Sequence, residues 1–355
     1  MLNSLIRWHK QLLSDTDTDS DPDPEDEQRE RIMPDKRIIV THPHGFCAGV
    51  ARAVAVAEVA LAQHGAPVYA LHEIVHNRQV TERLATRGLR VVEQLADVPE
   101  GAVTLFSAHG VAPAVRAEAR ARKLRVLDAT CPFVERVHRE ALRFVAEGCT
   151  VFCIGHPAHA EVVGIAGEAP GRVLVVETEE EAQRVQPPDP ERVAVVSQTT
   201  LNPETADRIR EALRRRFPKL RQPDSEDICY ATRNRQQAVR ALAAQAELVL
   251  VLGSANSSNS RRLVETASGA GARACLVSTL EDLAAAPVEA VCVLGITSGA
   301  STPESFLEEV LSALRARGFA TVEHLRTVDE PLRTFRPVVY SGHEESEGRG
   351  EAHEG

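Results

Sequence analysis

The stretch "THPHGFCAGVARAVAVAEVALAQHG", residues 41–65, decides how the rest of the chain is read. It follows a short apolar run, "RIIV" at 37–40, and passes through a loop framed by Gly45 and Gly49 into a long Ala/Val pattern. Strand, glycine-framed loop and helix in that order open an α/β unit. Cys47 stands in the loop at the helix entrance. There the first backbone N–H groups have no intrahelical partner and the helix dipole favours negative charge. A thiol in that position is expected to ionise more readily than one buried in a strand.

The same alternation continues along the chain. Strand candidates are "RIIV", "PVYAL", "AVTLF", "RVLD", "TVFCIG", "RVLVVE", "RVAVVS", "AELVLVLG", "ARACLVS" and "AVCVLGI". Helix patterns lie between them, among them 132–147, 203–216 and 303–317. Continuous apolar strands alternating with helices predict mainly parallel sheets. A chain of 355 residues is too long for one simple core, and three small α/β domains fit it. Breaks are expected near Cys131 and at the polar segment "RQPDSED", 221–227. Ligands of such sheets gather beyond the carboxyl ends of the strands, so the loops there are read first.

Composition removes several classes. Residues 15–30 carry nine acids and one Arg, and residues 343–355 carry five acids and one Arg. These segments hold −8 and −4 of the net −10, which leaves a body near +2, and both read as solvated, disordered tails. With 4% aromatic residues there is no base-stacking platform for nucleic acid. No apolar run approaches the roughly 18 residues of a membrane span. "MLNSLIRWHKQLL" is broken by Arg7, His9 and Lys10, so it lacks a signal-peptide core. Seven cysteines without an export signal point to the cytoplasm and to reduced or metal-bound thiols.

The cysteines fall into two sets. Cys149, Cys153, Cys275 and Cys292 lie in or beside apolar strands and read as small hydrophobes. Cys47, Cys131 in "LDATCPFV" and Cys229 in "EDICYATRNRQ" each precede a helix pattern, one per expected domain. Three thiolates from three units can converge on one centre, although distant cysteines have no diagnostic spacing, and unrelated loop thiols stay open as a reading. A closed structural zinc site takes four ligands, so three thiolates suit an iron–sulfur cluster better.

Polar loops accompany them. His76 follows "PVYAL", His109 follows "VTLF" and His159 follows "TVFCIG"; His72 and His156 stand nearby. Glu161, two residues after His159, makes a natural proton relay with it. The loop after "LVLVLG" brings Ser254, Asn256, Ser257, Ser258 and Asn259 to a helix entrance, more than one cap requires. "TSGASTPE" adds Ser298, Ser301 and Thr302, and "SQTTL" adds Gln198, Thr199 and Thr200. No GxGxxG or Walker pattern appears, so the anion expected here is a small phosphate held by neutral donors and histidines.

Taken in order, "GFCAGV", "HEIVHN", "FSAHGV", "DATCP", "IGH…HAEVVG", "SQTTL", "DICYATRNRQ", "GSANSSNS" and "TSGASTPE" resemble the signatures of the LytB/IspH family, the 4-hydroxy-3-methylbut-2-enyl diphosphate reductases. The resemblance runs from about residue 37 to 320 and departs at His44, where Arg is usual, and at Ser298, where Ala is common. It implies three α/β domains with mainly parallel sheets around a central [4Fe–4S] cluster. Cys47, Cys131 and Cys229 would bind that cluster, leaving one iron open. The implied division is an acidic extension at 1–36, domains at 37–131, 132–225 and 226–325, and a tail at 326–355, with 37–48 pairing into the third domain. The implied activity is reductive removal of the hydroxyl from an allylic diphosphate, giving isopentenyl and dimethylallyl diphosphates. By motif match, His76, His109, His159, Thr199, Ser257, Ser258, Asn259 and Ser301 would bind substrate. Glu161, His159 and Thr199 would deliver protons, and ferredoxin or flavodoxin would supply electrons. The rival reading is a non-catalytic iron–sulfur redox sensor, which needs the cysteines but not Glu161 or the Ser/Asn loop.

Overall fold

A computed structural model describes residues 36–330, 334–336 and 338. The acidic extension expected at 1–36, apart from Lys36, and the acidic end of the tail lie outside the described residues.

β1 (Arg37–His42) opens the described chain. β2 (Val68–Leu71), β3 (Leu89–Val92), β4 (Val103–Phe106) and β5 (Arg125–Asp128) form a parallel sheet in the order β3-β2-β4-β5. β6 (Thr150–Ile154), β7 (Val173–Val176) and β8 (Val193–Ser197) form a second, in the order β7-β6-β8. β9 (Leu248–Leu252), β10 (Arg273–Val277), β11 (Val293–Ser298) and β12 (Thr321–Arg326) take up β1 in the third, ordered β10-β9-β11-β1-β12. Ile38 sits in register with Leu294 on one side and Val322 on the other.

The apolar runs explain which strands are buried. β4, β6, β8 and β9 are buried along their whole length, as strands covered by helices on both faces must be. Each sheet has its own core: Val56, Ala57, Val68 and Leu105 in the first; Phe152, Ile154, Val195 and Ile209 in the second; Leu250, Ile296, Phe306 and Val310 in the third. Two strands fall outside the apolar runs. β3 is interrupted by exposed Arg90, and β12 is an edge strand with Thr321, Glu323 and His324 exposed. Among the described residues no helix is long and apolar enough to cross a membrane.

Parallel strands send all their carboxyl ends the same way. The loops after β1, β2, β4, β5, β6, β8, β9 and β11 carry, in turn, Cys47, His76, His109, Cys131, His159, Thr199, Ser257 and Ser301. All eight line one cavity containing about 700 Å³ of empty space, part of it open to solvent.

Candidate active site

Each of the three loop cysteines is the N-cap of a helix: Cys47 for Ala48–His64, Cys131 for Pro132–Ala146 and Cys229 for Tyr230–Ala243. Pro132 suits the first turn, where its missing N–H costs nothing. The backbone of each cysteine is pinned to another loop of the cavity. Cys47 N donates to Ala300 O at 3.1 Å, Cys131 N to Ala108 O at 2.9 Å and Cys229 N to Thr199 O at 3.1 Å. Gly49 lets the sulfurs approach: a methyl group placed on it would lie 2.6 Å from Cys131 Sγ and 4.0 Å from Cys47 Sγ. Gly49→Ala is therefore expected to push Cys131 aside at a cost of about 1–3 kcal/mol. Iron analysis after anaerobic purification should show less metal than in the unchanged chain; equal metal would refute the close approach.

Cys131 and Cys229 are not the easily ionised groups that their helix positions suggested. Burial pushes Cys131 up to about 12 and Cys229 up to about 11, and the neighbouring Cys47 raises both further. Desolvation of a charged sulfur and repulsion between sulfurs outweigh the helix entrance. A cationic partner in the cavity would be needed to keep Cys131 and Cys229 deprotonated. No group of three or more metal-ligating side chains among the described residues is placed to hold a single ion. Thiols spread around a cavity fit a polynuclear metal group better than one ion.

Glu161 faces the same cavity from the helix Ala160–Ala166 and is 1% exposed. Its Oε1 accepts from Thr199 N at 2.7 Å and its Oε2 from Thr199 Oγ1 at 3.0 Å. Burial raises the carboxyl to about 7, and the nearby Asp227 adds to this; the Thr199 bonds oppose it but are outweighed. A carboxyl poised there can hold a proton at neutral pH and release it to a substrate.

Three histidines line the same cavity, one of them, His159, capping the helix that carries Glu161. His76 and His109 stack with ring centroids 4.1 Å apart, and His159 meets both edge-on at 5.6 Å. Burial lowers all three, His159 to about 3; His76 and His159 lower His109 further, His76 lowers His159, and Glu73 opposes the shift of His76, so burial favours the neutral rings. His159 Nδ1 accepts from Glu161 N at 3.2 Å, which leaves its Nε2–H free to donate. Asn259 Oδ1 accepts from Ala300 N at 2.9 Å, while its buried Nδ2 has no protein partner. Ser301 Oγ donates to His76 O at 2.9 Å, and Ser258 Oγ accepts from Gln198 Nε2 and Thr200 Oγ1. An unpaired amide, serine hydroxyls and imidazoles around one void are the donor set that could hold an anion.

The cavity brings together every residue singled out for cluster, substrate or proton chemistry. It leaves others outside. His72 pairs with Glu93, His156 with Glu177, Asn256 donates to Glu73, and Ser254 accepts from Arg78 N. Ser298 accepts from Gly45 N at 2.8 Å and so steadies the Cys47 loop instead of facing a ligand. Phe133, Val75, Thr200 and Thr232 also line the cavity. Of these only Thr200 carried a signal, its place beside Thr199 after an apolar strand.

Fold and site together define an α/β protein in which three loop thiols, one buried acid and a set of polar donors share a cavity. The LytB protein family matches residues 38–315, and the chain belongs to that family. It is 52% identical over 310 residues to the 4-hydroxy-3-methylbut-2-enyl diphosphate reductase of Mycolicibacterium gilvum, covering 85% of this chain and 93% of that one. It is 51% identical over 298 residues to 4-hydroxy-3-methylbut-2-enyl diphosphate reductase 2 of Mycobacterium tuberculosis, covering 84% and 89%. The solved E-1-hydroxy-2-methyl-but-2-enyl-4-diphosphate reductase of Plasmodium falciparum superposes with a TM-score of 0.83 at 33% identity, covering 86% of this chain and 96% of that one.

Proposed function

We propose that the chain reduces 4-hydroxy-3-methylbut-2-enyl diphosphate to isopentenyl and dimethylallyl diphosphates, the last step of the methylerythritol phosphate route. The observation that carries this reading is the placement of Glu161, the three cysteines and the unpaired Asn259 amide around a single cavity. Two electrons and two protons enter, the allylic C–O bond breaks and water leaves. Cys47, Cys131 and Cys229 would hold a [4Fe–4S] cluster, which would supply electrons and Lewis acidity.

The chain's own residues do the rest. Asn259, Ser257, Ser258, Ser301, His76 and His109 hold the diphosphate at the far end of the cavity. His159 and Thr199 orient Glu161, which gives its proton to the departing oxygen. The second proton reaches either of two allylic carbons, so two products form. Division into three α/β domains near residues 131 and 225 belongs to the same reading, since each would contribute one cysteine. A small ferredoxin or flavodoxin in a reducing cytoplasm is the matching electron source. The sensor alternative gives no use to Glu161 or to the Asn259 amide, and the relatives are reductases by name.

The test is anaerobic turnover of the allylic alcohol diphosphate with reduced methyl viologen. Asn259→Ala and His109→Ala should each raise KM about tenfold or more, the loss of one hydrogen bond to a charged group (about 1.5–3 kcal/mol). Unchanged KM in both variants would remove the diphosphate from this end of the cavity.

A further inference from the structure

Two arginines outside the reaction chemistry each tie two cysteine-bearing elements together. Arg52, one turn into the Cys47 helix, donates from NH1 to Thr130 O at 2.8 Å and from NH2 to Asp128 O at 3.4 Å, the loop that ends in Cys131. Arg235, two turns into the Cys229 helix and fully buried, donates from NH2 to Gly45 O at 2.8 Å and to His44 O at 3.5 Å, the loop that carries Cys47. Together they link Cys131 to Cys47 and Cys47 to Cys229.

Both arginines are then met by the segment that follows β12. Glu330 lies 3.4 Å from Arg235 NH1 and accepts from Asn234 Nδ2 at 3.1 Å. Arg336 O accepts from Arg52 Nε at 3.1 Å. Phe335 meets Phe133, two residues past Cys131, edge-on at 6.3 Å, and Val338 packs against the core of the first sheet. One segment thus touches the helices begun by all three cysteines.

We propose that Glu330, Phe335, Arg336 and Val338 form a clamp that, through Arg52 and Arg235, fixes the mutual spacing of Cys47, Cys131 and Cys229 and so retains the metal group they hold. The inference rests on the reading of those cysteines as cluster ligands. A guanidinium suits the task because its fixed fork reaches a carbonyl and a carboxylate at once, which a lysine cannot do. Arg52 and Arg235 are positioning residues: neither lines the cavity.

The experiment uses the full chain purified without oxygen, with Arg235→Lys, Glu330→Gln and Arg52→Gln, and a chain ended after Thr327. Arg215→Gln, which breaks an exposed pair with Glu211, is the control. Iron per chain, the electron paramagnetic resonance spectrum of the reduced protein and the rate of iron loss to a ferrous chelator are measured, with melting of the metal-free forms alongside. The clamp predicts iron loss severalfold faster than in the unchanged chain and an altered resonance line shape in all three variants, with the control unaffected. If the shortened chain fails to fold, Arg235→Lys and Glu330→Gln still decide. Iron loss and spectrum identical to the unchanged chain, even with lower melting points, would overturn the clamp and leave only a stabilising contact. Absence of iron from the unchanged chain would overturn both the clamp and the cluster reading; iron present but retained equally by every variant would overturn the clamp alone.

Discussion

Glu161→Gln is expected to lower kcat by about 10²- to 10⁴-fold, the span of a positioned proton donor, while iron content stays that of the unchanged chain. Glutamine keeps the shape and can still accept from Thr199, so the loss isolates the proton. The pH dependence has a definite sign. Burial holds the Glu161 carboxyl up at about 7, so the proton is present below that value and lost above it. kcat/KM should fall as pH rises through about 7, approaching tenfold per pH unit. The phosphate ends of the substrate titrate in a similar range, but that contribution persists in Glu161→Gln, and only the part that disappears belongs to the carboxyl. A variant that turns over at the normal rate, or that keeps the same pH profile, would remove Glu161 from the chemistry.

The second large effect concerns the thiols. Cys47→Ser, Cys131→Ser and Cys229→Ser should each strip most of the iron and reduce turnover to the dye background, because a buried serine hydroxyl replaces a soft thiolate with a poor iron ligand. Cys153→Ala is the informative contrast. Cys153 is fully buried in β6, and burial also pushes its thiol up, yet it packs among Val151, Val162 and Ala194 away from the cavity. Its loss should cost some stability and no iron. Equal iron loss in all four variants would mean that general destabilisation, and not ligation, explains the result.

These contrasts show where the sequence was legible. The apolar runs locate the buried strands because those strands have no solvent face to interrupt them. β3 and β12 escape because exposed residues such as Arg90 and Glu323 break the run. The three cysteine positions are local features, each set by a strand or turn leading to a helix, and so can be read residue by residue. Their ionisation cannot be read that way: desolvation depends on what the other loops bring against the sulfur. Arg52 and Arg235 were equally invisible, since their acceptors lie 78 and 190 residues away and are backbone carbonyls without a sequence signature. Similarly, nothing local separates Ser298, which holds a loop, from Ser301, which faces the cavity.

The position of β1 sets an order of events during synthesis. It lies between β11 and β12, with Ile38 in register with Leu294 and Val322, so the first strand among the described residues is flanked by the last two among them. Until residues near 300 leave the ribosome, β1 has neither neighbour and the Cys47 loop has no Ala300 carbonyl to anchor it, and the second neighbour, β12, comes later still. Cys131 and its sheet can be in place long before. Pairing over such a sequence distance is slow, because the loop must be closed before the contacts that reward closure exist. If the three cysteines hold a metal group as proposed, its loading waits for the third sheet, and β1 stays unpartnered and apolar while the intervening residues are made, a period when a chaperone has the most to shield.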